Sequence, residues 1–199
     1  MRGITHAGVG ATAYIAASGL MQRDFSIFEL VFVVGASLLP DIDHPKSKAS
    51  KYVLPVKSKE GKRAFFVCLG IAVLLFDYLY VGENALKALG ALLIMIGFTS
   101  HRNGITHSLV GMMLFMFVVH YTGTKYEYKY LTQLFAIGYG SHLFTDSFTK
   151  AGLPLFYPIT KKKFKGIITY RVGSKVGDFI EMVILLLCVV YIIYTLPTI

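Results

Sequence analysis

His142 and Asp146, in "GSHLFTDSFT", stand at i and i+4. On a helix that spacing puts both side chains on one face, where two ligands can share a metal ion. Asp41 and Asp43, in "LLPDIDHP", follow Pro40 and can converge from a loop without helical geometry. A proline followed by two aspartates is, taken alone, more often a turn than a site. His101 and His107 would oppose each other on a continuous helix, so the "RNGI" between them must turn, which Gly104 permits. Asp178 and Glu181, at i and i+3 in "VGDFIE", face together. His6 lies near the start of the chain. Imidazole and carboxylate ligands without a thiolate suit zinc, manganese or iron, and the set is large enough for two or more ions. Two ions could activate a water and stabilise both oxygens of a phosphoryl displacement.

The elements that must carry these side chains are apolar. Of the 199 residues, 55% are hydrophobic and only 16% charged, with a mean hydropathy of +0.60. A soluble domain carries roughly a quarter charged residues. The chain therefore reads as all-α, a polytopic integral membrane helical bundle forming a single domain over 1–199. Cys68 and Cys188 both lie inside apolar runs and behave as small hydrophobes, which points to neither a disulfide scaffold nor a zinc ribbon. The Gly/Ala-rich start has His6 at its edge and a second apolar run directly after it, and reads as retained, not as a signal peptide. Apolar segments fall at 7–21, 26–40, 64–81, 85–100, 107–121, 131–148 and 179–196. Only the third and last comfortably reach the ~20 residues of a spanning helix. Between five and seven membrane-embedded helices are expected, some of them tilted, shallow or buried against others.

If each segment crosses or reverses direction, residues 1–6, 41–63, 101–106 and 149–178 share one side, which holds sixteen of the twenty Lys and Arg. Arg23, Lys87, Lys125 and Lys129 fall on the other. The positive-inside rule makes the first side cytoplasmic. The net charge of +9 then reports orientation and attraction to anionic lipid, and no specific nucleic-acid partner is expected. Five of the six histidines, with Asp41, Asp43, Asp146, Asp178 and Glu181, collect at that end; His120 alone lies at the other. Ionisable groups at membrane depth are costly and default to a functional reading. Plainer roles compete for some of them. Thr106 and Ser108 suit helix caps, Asp178 an acid favoured by a helix dipole, Arg102 a positive-inside anchor, and the lysines at 161–163 a solvated face.

These motifs resemble those of the YdjM-like family of membrane-bound metal-dependent hydrolases. The matches are His6 in "THAGVG", "LLPDIDHP", Arg102 followed by "THS", "HLFTD", the "GLPLFYP" loop and Glu181, in the family's order over nearly the whole chain. The family is distantly similar to zinc-dependent phospholipases C and related nucleases, which implies phosphoester cleavage by a metal-activated water. The expected metal ligands are His6, Asp41, Asp43, His107, His142 and Asp146. Glu181, Arg102 and His101 are the expected catalytic residues, with Glu181 as general base or further ligand. Arg102 and lysines from 46–63 or 161–165 would hold phosphate. The expected cofactor is a divalent metal, zinc before manganese or iron, and the expected substrate an anionic lipid or lipid phosphate. The site is expected to face the cytoplasm from the cell membrane. Two other classes use the same cluster: an ion- or proton-coupled transporter or channel, whose sites usually lie near the bilayer midplane, and a metal-stabilised scaffold without turnover.

Overall fold

Each apolar segment becomes a helix. The computed structural model describes residues 1–42, 58–99 and 104–195; Asp43, His44, His101, Arg102 and the lysines of 46–57 lie outside them. In chain order the helices are α1 (Gly3–Leu20), α2 (Ile27–Leu38), α3 (Lys59–Phe76), α4 (Asn84–Phe98), α5 (Leu109–Lys125), α6 (Leu131–Ser147) and α7 (Lys175–Thr195). A π turn over Asp77–Val81 extends α3, and 3₁₀ turns cover Leu39–Asp41 and Ile105–His107. No strand occurs among the described residues, only two isolated bridges in the α6–α7 loop. The fold is all-α, as the composition implies.

The chain divides into two compact units. The first comprises Met1–Pro40, Gln133–Leu153 and Lys163–Ile199, hence α1, α2, most of α6 and α7. Tyr14, Ile15, Val33 and Leu134 form its buried apolar cluster, with Phe25 and Phe32 packed against them. The α1–α2 connection is closed by the Tyr14 hydroxyl, which accepts from Ser26 N at 2.9 Å and donates to Glu29 at 3.1 Å. Helix α6 crosses α2 at Gly138, where a Cβ would lie 2.4 Å from the Val33 carbonyl oxygen. Only glycine allows that approach, and it brings the next turn of α6, with His142, onto the C-terminal turn of α2. Helix α7 caps α1 from outside the helix. The Glu181 carboxylate accepts Arg2 N at 3.0 Å and the Thr5 hydroxyl at 2.8 Å, satisfying N-terminal donors that α1 cannot pair itself.

The loop after α6 is tied back to it. Gly166 N donates to Ser147 O at 2.8 Å, Tyr170 N to Phe148 O at 3.1 Å, and Lys150 N to Tyr170 O at 2.8 Å.

The second unit comprises Asp41–Thr132 and Pro154–Lys162. Here α3 packs on α4 and α4 on α5. Ser58 caps α3 by accepting Gly61 N at 2.9 Å, and Ser108 caps α5 by accepting Gly111 N at 3.1 Å. A Cβ at Gly111 would fall 1.9 Å from Ile105 O. Glycine is therefore required for the first turn of α5 to lie against the 3₁₀ turn that carries His107.

Among the described residues two helices are long and apolar enough to cross a membrane, Glu60–Val81 (22 residues) and Lys175–Thr195 (21 residues). They are the third and last segments singled out by length. Each leaves little of its apolar window buried: Leu75, Phe76 and Leu79 on the first, and Leu186, Leu187 and Ile193 on the second, are exposed. Faces of that kind suit acyl chains and not water.

Candidate metal centre

Two of the sequence's ligand groups assemble, one in each unit. In the first unit α1 supplies His6 and α6 supplies His142 and Asp146. The three side chains are buried, at 1%, 0% and 6% exposure. Each offers one ligand atom, and these atoms all lie within 4.8 Å of one another. A tetrahedral ion with bonds of ~2.1 Å holds its ligands ~3.4 Å apart, so small side-chain shifts close the set. His6 Nε2 lies 3.4 Å from one Asp146 oxygen and His142 Nε2 lies 3.8 Å from the other. The Met1 ammonium also contacts Asp146.

The protons on the two rings can be placed from their other partners. His142 Nδ1 lies 2.7 Å from Ser37 O at the end of α2. A carbonyl only accepts, so Nδ1 carries the hydrogen and Nε2 keeps its lone pair. His6 Nδ1 lies 3.0 Å from Thr145 Oγ1. That hydroxyl spends its one proton on the carbonyls of Ser141 and His142, at 2.9 and 3.0 Å. It therefore accepts from His6, and the His6 Nε2 lone pair also turns toward Asp146. This buried Nε2 has no hydrogen-bond partner among the described residues. The two imidazoles stack in parallel, centroids 3.7 Å apart at an interplanar angle of 15°. Charging both rings would stack two cations. With both rings neutral, two lone pairs face the Asp146 carboxylate beside the Met1 ammonium, a donor set that a metal ion could share.

In the second unit His107 Nε2 lies 3.6 Å from Asp41 Oδ1, with His107 buried and Asp41 partly so. The pattern around the ring repeats: a neighbouring threonine, Thr106, holds Nδ1 at 3.2 Å and leaves Nε2 for the carboxylate. Thr106 is thus not a helix cap, whereas Ser108 is. Lys62, in the first turn of α3, is buried.

Glu181 does not join either group. Its carboxylate is occupied by Arg2 N, by Thr5 and, at 3.4 Å, by the Tyr170 hydroxyl. Burial and the adjacent Glu181 carboxylate push the Tyr170 phenol above its ordinary range, so it stays a donor. Asp178 pairs with the Arg2 side chain at 2.6 Å. The i, i+3 pair on α7 thus grips the N-terminal end of α1 and so sets the position of His6. Asp43, His101 and Arg102 lie outside the described residues.

Several contributors escaped the sequence reading: Thr145, the Ser37 carbonyl, Thr5, Tyr170 and the Met1 ammonium. Thr145 was legible in principle, because it lies one residue before Asp146 within the "HLFTD" motif. Tyr170 and the Ser37 carbonyl carry no local signal.

The family described as YdjM inner membrane protein matches residues 1–198. No curated protein and no solved structure matches the chain.

Proposed function

From the premise that the chain belongs to the YdjM family of inner membrane proteins, we propose that it is a metal-dependent hydrolase of phosphoesters in lipids or lipid-linked molecules. The observation that carries this reading is the buried His6 Nε2, without a hydrogen bond among the described residues, set beside the Asp146 carboxylate and the stacked His142. Zinc is the ion that two imidazoles and one carboxylate suit best, and three protein ligands leave a coordination position open, as catalytic sites do. A bound ion would supply a water of lowered pKa and polarise a phosphoryl oxygen. The chain's own residues do the rest. Thr145 and the Ser37 carbonyl orient the rings, Glu181 fixes α1, and Asp41 with His107 supplies two ligands for a further ion. Lysines of the α6–α7 loop, with Arg102, hold the phosphate. In this reading five to seven helices are embedded in the bilayer, with the centre toward the cytoplasm.

The test is metal analysis and turnover on the same detergent-solubilised protein. We expect a stoichiometric divalent ion, lost in His142→Ala and in Asp146→Asn. Release of phosphate or phosphorylated head group from lipid substrates should vanish with it, while membrane insertion persists. No ion bound after reconstitution with zinc, manganese or iron would sink the proposal.

The burial of all three ligands favours a second reading, a metal-held scaffold without turnover. It expects chelation to lower the Tm, with no lipid consumed under any metal loading.

A further inference from the structure

The loop between α6 and α7 has an apolar side that no helix covers. Ile167 is fully exposed, Ile168 and the neighbouring Phe144 on α6 are largely so, and Phe164 is about half exposed. This exposure is held in place: Leu153 and Phe164 exchange backbone hydrogen bonds at 3.1 and 2.8 Å, and Gly166 N is bound to Ser147 O. Between loop and helix runs a groove of about 530 Å³, lined by Phe144, Phe148, Phe164, Ile167 and Ile168. Its walls are almost wholly carbon, and its size falls within the range of small-ligand sites.

Charge says what fills it. Residues 147–177 hold seven Lys and Arg and no Asp or Glu. Lys163 and Lys165, on either side of Phe164, are exposed and pair with no carboxylate among the described residues. Aliphatic and aromatic side chains with lysines at their rim match a lipid whose tail is apolar and whose head group is anionic. Lysines at an anionic bilayer surface are drawn to its head groups. An acidic protein would match the lysines but leave the groove, at the end of a helix of an inner membrane protein, unexplained.

We propose that this loop is a binding site for an anionic phospholipid, with an acyl chain in the Phe144–Ile168 groove and the phosphate on Lys163 and Lys165. The loop lysines are those that the hydrolase reading gives to the substrate phosphate. Lipid binding here, however, rests on the groove and on the membrane location of the family, so it is read without turnover and can fail while the metal centre stands.

The chain contains no tryptophan, so Ile168→Trp, or Ile167→Trp as a second position, places a single reporter at the groove. The full chain is reconstituted into vesicles containing equal fractions of brominated phosphatidylcholine or brominated phosphatidylglycerol. We expect blue-shifted emission, quenched several-fold more by the anionic lipid, with the preference abolished by Lys163→Glu/Lys165→Glu. Water-like emission untouched by either lipid overturns the proposal. Equal quenching by both lipids overturns it as well, since the surface would then be immersed without a head-group site. Blue-shifted emission that neither lipid quenches would place a protein surface there, a second copy included, and reject the lipid.

Discussion

Thr145 shows how much a single hydroxyl can determine. By accepting from His6 Nδ1 while donating to the Ser141 and His142 carbonyls, it selects the tautomer that turns Nε2 toward Asp146. Thr145→Val keeps shape and every ligand but removes that acceptor. We expect divalent-ion affinity to fall about 10–100-fold, the usual effect of losing a group that orients a ligand. Unchanged affinity in a zinc competition titration would mean that His6 is not held as a ligand. Tyr170 allows a test by pH. Its folded-state pKa is raised, by burial first and by Glu181 next. A raised pKa means that its contribution is fully present below the unfolded value of about 10 and declines as pH rises beyond it. Tyr170→Phe should therefore lose thermal stability less steeply than wild type above roughly pH 10. Parallel Tm-against-pH curves would contradict the assignment.

At the scale of elements, the centre depends on how closely helices approach. Gly138 lets α6 meet the backbone of α2 with no side chain between. Gly138→Ala should cost about 1–3 kcal/mol through overpacking and move His142 off the Ser37 carbonyl, so metal retention falls along with the Tm. Gly35, also on α2, is the internal control, because a Cβ there meets nothing within 4 Å. Gly35→Ala should be neutral or stabilise by up to about 1 kcal/mol. If both substitutions behave alike in thermal melts, the α2–α6 contact does not position the centre. The acid pair on α7 belongs to this scale too. Glu181 and Asp178 act on the start of α1, so the last helix in sequence fixes the first ligand, His6.

For the whole molecule, orientation is the property that charge controls. Sixteen of twenty basic residues fall on one set of connections, and the apolar segments coincide with helices among the described residues. Topology is measurable with single cysteines in a background lacking Cys68 and Cys188. A membrane-impermeant maleimide should label Lys129→Cys in intact cells and Lys175→Cys only after permeabilisation. Labelling of both positions from the same side would remove an odd number of crossings between them and overturn the proposed cytoplasmic orientation of the centre.

The amino-acid chain alone sets the helices, because hydropathy and length act locally along it. It determined the His142–Asp146 pair for the same reason, since helical periodicity puts i and i+4 on one face. It also pointed to the residue types of the centre. Which of those residues meet was decided only by tertiary structure. His6 joins His142 and Asp146 because Glu181 and Asp178 anchor the start of α1 and a glycine lets α6 reach α2. Glu181, grouped with the catalytic residues by motif, has its carboxylate occupied by Arg2, Thr5 and Tyr170. The direction in which each imidazole presents its lone pair rests on a threonine hydroxyl and a backbone carbonyl. Such partners are common to every chain, and only their three-dimensional placement gives them a role.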